Sequence, residues 1–174
     1  SLELVSKINE SFKRFINDNL SFHISAGIDL FGSVTPIRYA ITRAEENLAS
    51  SKECRGKNCF TVMECTIKND KLLLILNEID KYEKAILSKK ISRGGIFDIY
   101  NAIFESLNDK QTIIRYMKYI PHISYSIERN ILDYGFKEEL KKTFIHLQIN
   151  EETLKMYKVV LAYALMNTRK ESDN

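Results

Sequence analysis

Phe22-His23-Ile24-Ser25-Ala26-Gly27-Ile28-Asp29-Leu30 is the stretch on which the fold turns. Phe22, Ile24, Ala26, Ile28 and Leu30 alternate with His23, Ser25, Gly27, Asp29 and Phe31. A period of two predicts a strand with one buried face. Upstream the period is helical: Leu4, Ile8, Phe12, Phe15 and Ile16 mark one face of a helix within residues 1–20. Downstream, Gly32-Ser33 closes the strand as a turn. Thr35 is then expected as N-cap and Pro36 as first residue of a second helix, with Ile37, Ile41, Ala44 and Leu48 buried. Arg55-Gly56-Lys57-Asn58 ends that helix, because Gly and Asn tolerate the left-handed conformation. A single second strand is expected over Cys59–Ile67, stopped by Asn69-Asp70.

From Asp70 onward every periodic segment is helical. Leu72, Leu76, Ile79, Tyr82 and Ile86 describe one helix. Ser92 caps a second, carrying Ile96, Ile99, Tyr100, Ile103 and Phe104. A third runs near Gln111–Ile120 and stops at Pro121. Ile123, Ile127, Ile131 and Leu132 form a fourth, ended by Tyr134-Gly135. Phe136, Leu140, Phe144 and Leu147 form a fifth. Asn150-Glu151-Glu152 starts the last, with Leu154, Tyr157, Leu161, Ala164 and Leu165. Short loops favour an antiparallel bundle, and the polar tail Arg169–Asn174 is expected to fray. The fold class is therefore α+β: an αβαβ part over residues 1–68, then an all-α helical bundle over 69–174.

Composition excludes several classes. Of 174 residues, 44% are hydrophobic and 28% charged, so the chain is not a disordered one. A net charge of +3 is too small and too spread to mark a dedicated nucleic-acid binder. No uncharged apolar run approaches the roughly 20 residues of a membrane helix. The first twenty residues are amphipathic and mixed in charge, without the apolar core of a secretory signal. The spacing Cys54-x4-Cys59-x5-Cys65 fits no zinc pattern. Three cysteines without a signal lead us to expect reduced thiols and a cytoplasmic location. The chain starts at Ser1 rather than Met, which suggests a processed or shortened product.

Two segments carry possible chemistry. In Phe22–Ile28, Ser25 and Gly27 offer a small hydroxyl and open backbone to a flat ligand; equally, they are small because a helix packs there. In Ser51–Asn58, Lys52 and Lys57 flank the Gly56 turn. Two ammonium groups beside exposed backbone N–H donors suit a polyphosphate; equally, they complement a helix C-terminus. Lys84, Lys89, Lys90 and Arg93 form the densest basic stretch, which reads first as a solvated helix end. His23, His122 and His146 lack partners at metal spacing, and Glu45-Glu46 and Glu138-Glu139 read as solvated charge. Neither a nucleophile–base pair nor a metal site is legible, so no catalytic or metal-ligating residue is assigned.

The order of these motifs carries a resemblance. A strand Ile24-Ser25-Ala26-Gly27-Ile28 precedes Pro36-Ile37, then Ala44-Glu45-Glu46-Asn47-Leu48, Lys52 and Gly56-Lys57-Asn58. This resembles the second half of a ferredoxin-like, GGDEF-type nucleotide cyclase. It is more similar still to the second palm domain of the large subunit of type III CRISPR effector complexes, which continues into a C-terminal helical domain. The resemblance implies a partial palm at 1–68 and a parent that joins ATP into cyclic oligoadenylates in response to target RNA. It implies Mg²⁺ or Mn²⁺ held by a Gly-Gly-Asp-Asp hairpin just upstream of the first helix, a motif the 174 residues lack. The piece is therefore expected to be inactive alone and to hold no cofactor tightly. Lys52, Gly56 and Lys57 match the triphosphate-binding segment, and Ser25 and Gly27 the strand beside the base. Ser51 stands where Ala usually precedes the Lys, and one extra residue separates Lys52 from Gly56. Implied partners are the other subunits of the complex, guide RNA and target RNA, with Lys84, Lys89, Lys90 and Arg93 as candidate backbone contacts. Two other readings remain: a helical scaffold or adaptor, and a degenerate diguanylate-cyclase-like regulatory domain.

Overall fold

Gly27 sets the geometry of the N-terminal part. In a computed structural model, which describes residues 1–19, 21–54, 56–108, 112–131, 133–146 and 150–169, Gly27 lies in strand β1 (Ala26–Ile28) beneath helix α2 (Ile37–Glu53). A Cβ built on it would overlap the Ala44 carbonyl oxygen and the Leu48 backbone nitrogen. Only glycine lets helix and strand backbones approach this closely. The helix then bonds β1 directly: Asn47 Nδ2 donates to the Ile28 carbonyl at 2.7 Å and Ser51 Oγ to that of Ala26 at 2.7 Å. Arg43 forks onto Asp29 with Nη2–Oδ2 at 2.8 Å, and that hydrogen bond raises the arginine pKa.

The sheet has the order β1-β2-β3. Strand β1 pairs parallel with β2 (Cys59–Val62), Gly27 opposite Thr61. Strand β2 pairs antiparallel with β3 (Cys65–Lys68), Phe60 opposite Ile67. Leu2, Phe60, Val62, Ile67 and Ile75 are buried in this part, and a polar ladder runs through it from Ser51 Oγ to Thr61 Oγ1 (2.7 Å) to Thr66 Oγ1 (2.9 Å). Helix α1 (Leu2–Phe15) buries Leu2 and Asn9, while Leu4, Ile8 and Phe15 on its apolar stripe stay exposed.

The described residues divide into two compact units, Ser1–Leu76 and Asn77–Asn174, the division falling within α3 (Leu72–Leu87). The second unit continues with α4 (Arg93–Asn108), α5 (Thr112–Asn130), α6 (Tyr134–Lys141) and α7 (Glu151–Asn167). Ser92 Oγ accepts from Gly95 N at 3.0 Å and so caps α4; Asn150 Oδ1 accepts from Thr153 N at 2.8 Å and caps α7. Helix α7 is buried on every side over Met156–Ala164, which makes it the centre of this bundle. Phe144 and Tyr157 pack edge to face across it with centroids 4.8 Å apart. The α+β reading, a small palm-like sheet followed by helices, describes this architecture.

Several expectations need correction. The ten-residue strand contracts to Ala26–Ile28, because only that segment pairs with a neighbouring strand; Phe22 and Phe31 are exposed. The single strand over Cys59–Ile67 is a hairpin, turned at Met63-Glu64, both with positive φ as a two-residue primed turn requires. Neither residue type announces that turn. Helix α2 begins at Ile37 with Pro36 as its cap residue, and Thr35 instead donates its amide to Gly32. Its buried face is Ala40 and Ser51, with Ala44, Asn47 and Leu48 half-buried, whereas Ile37 and Ile41 face solvent.

Pro121 does not stop a helix. The two segments expected on either side of it are the one helix α5, carried through because Ile123 and Ile127 are fully buried. Tyr134-Gly135 opens α6 rather than ending its predecessor, since Asp133 Oδ1 accepts from Phe136 N at 2.7 Å and caps a new helix there. Residues Gln111, Leu132, Leu147 and 170–174 of the expected helices and tail, like Arg55 of the turn, lie outside the described residues. Cys54 and Cys59 are joined as a disulfide rather than present as two thiols, because the turn between them brings both ends together. No helix among the described residues is long and apolar enough to cross a membrane.

Candidate functional site

The end of α2 is where the chemistry of the first unit collects. Cys54 leaves the helix in extended conformation, with ψ of 133°. Gly56 at φ +90° and Lys57 at φ +50° then turn the chain back, and Lys57 N donates to the Cys54 carbonyl at 2.9 Å. Two consecutive positive-φ residues make a tight turn, and Gly at its first position reaches φ +90° without the steric cost a Cβ would add.

Three further ties fix this turn. The Ser25 hydroxyl donates to the Lys57 carbonyl. Asn69 reaches both sides: its amide N donates to the Asn58 carbonyl at 2.9 Å, and Nδ2 donates to Asn58 Oδ1 at 2.9 Å and to the Ile24 carbonyl at 2.8 Å. The Cys54–Cys59 disulfide closes the base of the loop. Asn69 is buried, so these bonds are sheltered from water.

Lys57 on this anchored turn and Lys52 in the last turn of α2 are both exposed. Lys52 follows Ser51, which is fully buried and bonded to β1, so the backbone beneath its side chain is fixed. Among the described residues neither ammonium group has an ion-pair partner. Lys7, Lys13, Lys68 and Lys71 of the same unit likewise have no ion pair among the described residues, whereas Lys81, Lys84, Lys137, Lys141 and Lys155 of the second unit bridge to carboxylates. One cation on the turn and another at the helix end before it suit an anion that needs point charges.

Beside Asn58 lies a cavity of about 170 Å³ lined by Asn9, Phe12, Lys13, Asn19, His23 and Asn58. It joins aromatic surface to amide and imidazole groups, the mixture that holds a planar polar ring. Sequence reasoning missed this wall, since its members come from α1, the following loop and the α2–β2 turn. It also missed Asn69, whose signal is only an Asn at the end of a strand.

The structure places the two strand candidates differently from the lysines. The open side of Gly27 faces Ala44 and Leu48, so helix packing takes the space. Ser25 contributes through the Lys57 carbonyl it holds. The structure brings together Ser25, Gly56 and Lys57 on one anchored turn. The basic stretch lies in the second unit: Lys84 bridges to Asp80, Arg93 donates to Thr168 Oγ1 at 3.2 Å, and Lys89 and Lys90 are exposed in the turn between α3 and α4.

Residues 1–61 match the family model for Cas10/Cmr2, second palm domain. Over this stretch the chain is similar to a Cas10/Cmr2 second palm domain. The match supports assigning the chain to the large subunit of type III CRISPR effector complexes, and it covers the strand, the α2 end and the lysine turn described above. No curated protein and no solved structure gives a match.

A palm of this kind implies a divalent cation. Among the described residues no three His, Cys, Asp or Glu side chains form a group that could hold a metal ion. Asp29, the carboxylate at the end of β1, is taken by Arg43.

Proposed function

We propose that the palm segment supplies the triphosphate-binding turn of an ATP site, in a large subunit that makes cyclic oligoadenylates when target RNA is bound. The observation that supports this reading is Lys57, on a turn anchored by Ser25, Asn58 and Asn69, with Lys52 in the helical turn just before it, neither ammonium group ion-paired among the described residues. A triphosphate carries several negative charges close together, and two ammonium groups on fixed backbone offset them without first breaking internal ion pairs. Gly56 allows the turn, and Gly27 allows the α2 docking that carries Lys52 to it. Metal-activating carboxylates belong to another part of the site. In the complex, Lys89 and Lys90 are candidates for phosphate contacts with the guide–target duplex, and the helical unit for contacts with neighbouring subunits.

Calorimetric titration of the chain with ATP tests the reading. Binding is expected in the millimolar to high-micromolar range and to weaken about tenfold or more in Lys52→Ala/Lys57→Ala, the loss of two charge-assisted contacts. Equal affinity of wild type and double variant would overturn the assignment of these lysines.

A further inference from the structure

The loop that carries Gly56, Lys57 and Asn58 is closed at its base by its own two flanking residues. Cys54 is the first residue after α2 and Cys59 the first of β2, and their Cα atoms are 6.6 Å apart. Cys54 is half-buried and so within reach of a small reagent, whereas Cys59 is only 1% exposed. Cys65, buried in β3, stands outside the pair. This arrangement places one accessible sulfur and one sheltered sulfur on the same loop as the candidate phosphate-binding lysine. An attacking thiol and a resolving thiol of a redox pair have the same division of labour.

We infer that Cys54 and Cys59 form a reversible thiol–disulfide switch that stiffens the Gly56–Asn58 turn when oxidised and loosens it when reduced. The oxidant is a low-molecular-weight disulfide of the glutathione class. The Cys54 thiolate attacks one of its sulfurs, forming a mixed disulfide and releasing one thiolate. The Cys59 thiolate then attacks the Cys54 sulfur, forming the protein disulfide and releasing the second. Two electrons pass from the protein dithiol to the small disulfide, and the two thiol protons end on the two released thiols. The oxidised loop holds Lys57 in its left-handed turn with less conformational freedom to lose on binding, which favours the anion-binding geometry. Hydrogen bonds from Ser25 and Asn69 remain in both states, so the effect is graded rather than all-or-none. The consequence for ATP rests on the reading proposed above; the stiffening of the turn does not.

The test uses the whole chain, equilibrated with glutathione disulfide or with a phosphine reductant. After denaturing alkylation, one of the three cysteines is expected to be modified in the first case and all three in the second. Amide exchange across 56–58 is expected to be about tenfold slower in the oxidised form, and ATP to bind about three- to tenfold more tightly to it. Cys54→Ser should behave as the reduced form under both conditions. Three modified cysteines after glutathione disulfide, or equal exchange of 56–58 in the two forms, would overturn the switch. Slower exchange with ATP bound by neither form would leave the switch standing and overturn the nucleotide reading. Slower exchange with equal ATP affinity in both forms would overturn the coupling of the switch to the site.

Discussion

The two units of this chain bury apolar surface to very different degrees. In the helical unit the apolar residues close on one another: Ile96, Ile99, Ile103, Ile123, Ile127, Leu140 and Val159 are all fully buried. In the palm unit many large apolar residues face outward, among them Phe15 at 86%, Val34 at 93% and Ile37 at 63% exposure. What orders that unit is instead backbone proximity at Gly27, the Ser51–Thr61–Thr66 ladder and the side-chain bonds from α2 to β1. A unit built on a packed core is specified by volume. One built on close backbone approach and polar anchoring is specified by single atoms.

That contrast predicts which substitutions matter where. The largest effect belongs to Phe144→Ala in the helical unit, where the fully buried ring packs on Tyr157. A loss of about 3–5 kcal/mol is expected, read as lowered amide protection along α5 to α7. A loss below about 1 kcal/mol would show that the bundle is not volume-specified. Next comes Gly27→Val, expected to cost about 3 kcal/mol through overlap with the α2 backbone and to lower protection in β1 and α2. Tolerance of the branched side chain would break the claim that single atoms order the palm unit.

Tyr82 gives a pH prediction of intermediate size. Burial, more than the neighbouring Tyr157 and Glu78, raises its hydroxyl pKa well above the ordinary value, so folding favours the protonated form. The stability it contributes is complete below about pH 10, the unfolded value, and falls as pH rises above that toward the folded pKa. The hydroxyl has no hydrogen-bond partner among the described residues. Tyr82→Phe should therefore leave stability at pH 7 equal or slightly higher and move the alkaline unfolding midpoint upward. A marked loss at pH 7 would show that the hydroxyl makes a needed bond. The smallest effect is expected from Leu4→Ser/Ile8→Ser on the exposed face of α1, within about 0.5 kcal/mol per site by chemical denaturation.

The helical unit was more legible in the sequence than the palm unit, for the same reason. Apolar periodicity reports volume packing, so the buried stripes of α3, α4 and α7 were visible in Ile79, Ile96, Ile99 and Leu161. Pro121 misled because a strong local rule lost to the burial of Ile123 and Ile127. In the palm unit, alternation over Phe22–Leu30 overstated a strand whose length depends on its pairing partner. The apolar stripe of α2 pointed to Ile37 and Ile41, yet small and polar residues face the strand. Of the candidate site, Lys52, Gly56 and Lys57 were legible as a turn with flanking charge. The Asn69 anchor and the Cys54–Cys59 tie were not, since both depend on contacts that no local pattern encodes.

That the lysine turn is an anion site is tested most directly by amide hydrogen exchange of the chain with and without saturating ATP. Added protection is expected at Gly56–Asn58 and along the Asn9–Asn19 wall of the adjoining cavity, and its loss in Lys52→Ala/Lys57→Ala. Protection confined to the helical unit, or unchanged exchange at Gly56–Asn58, would contradict it.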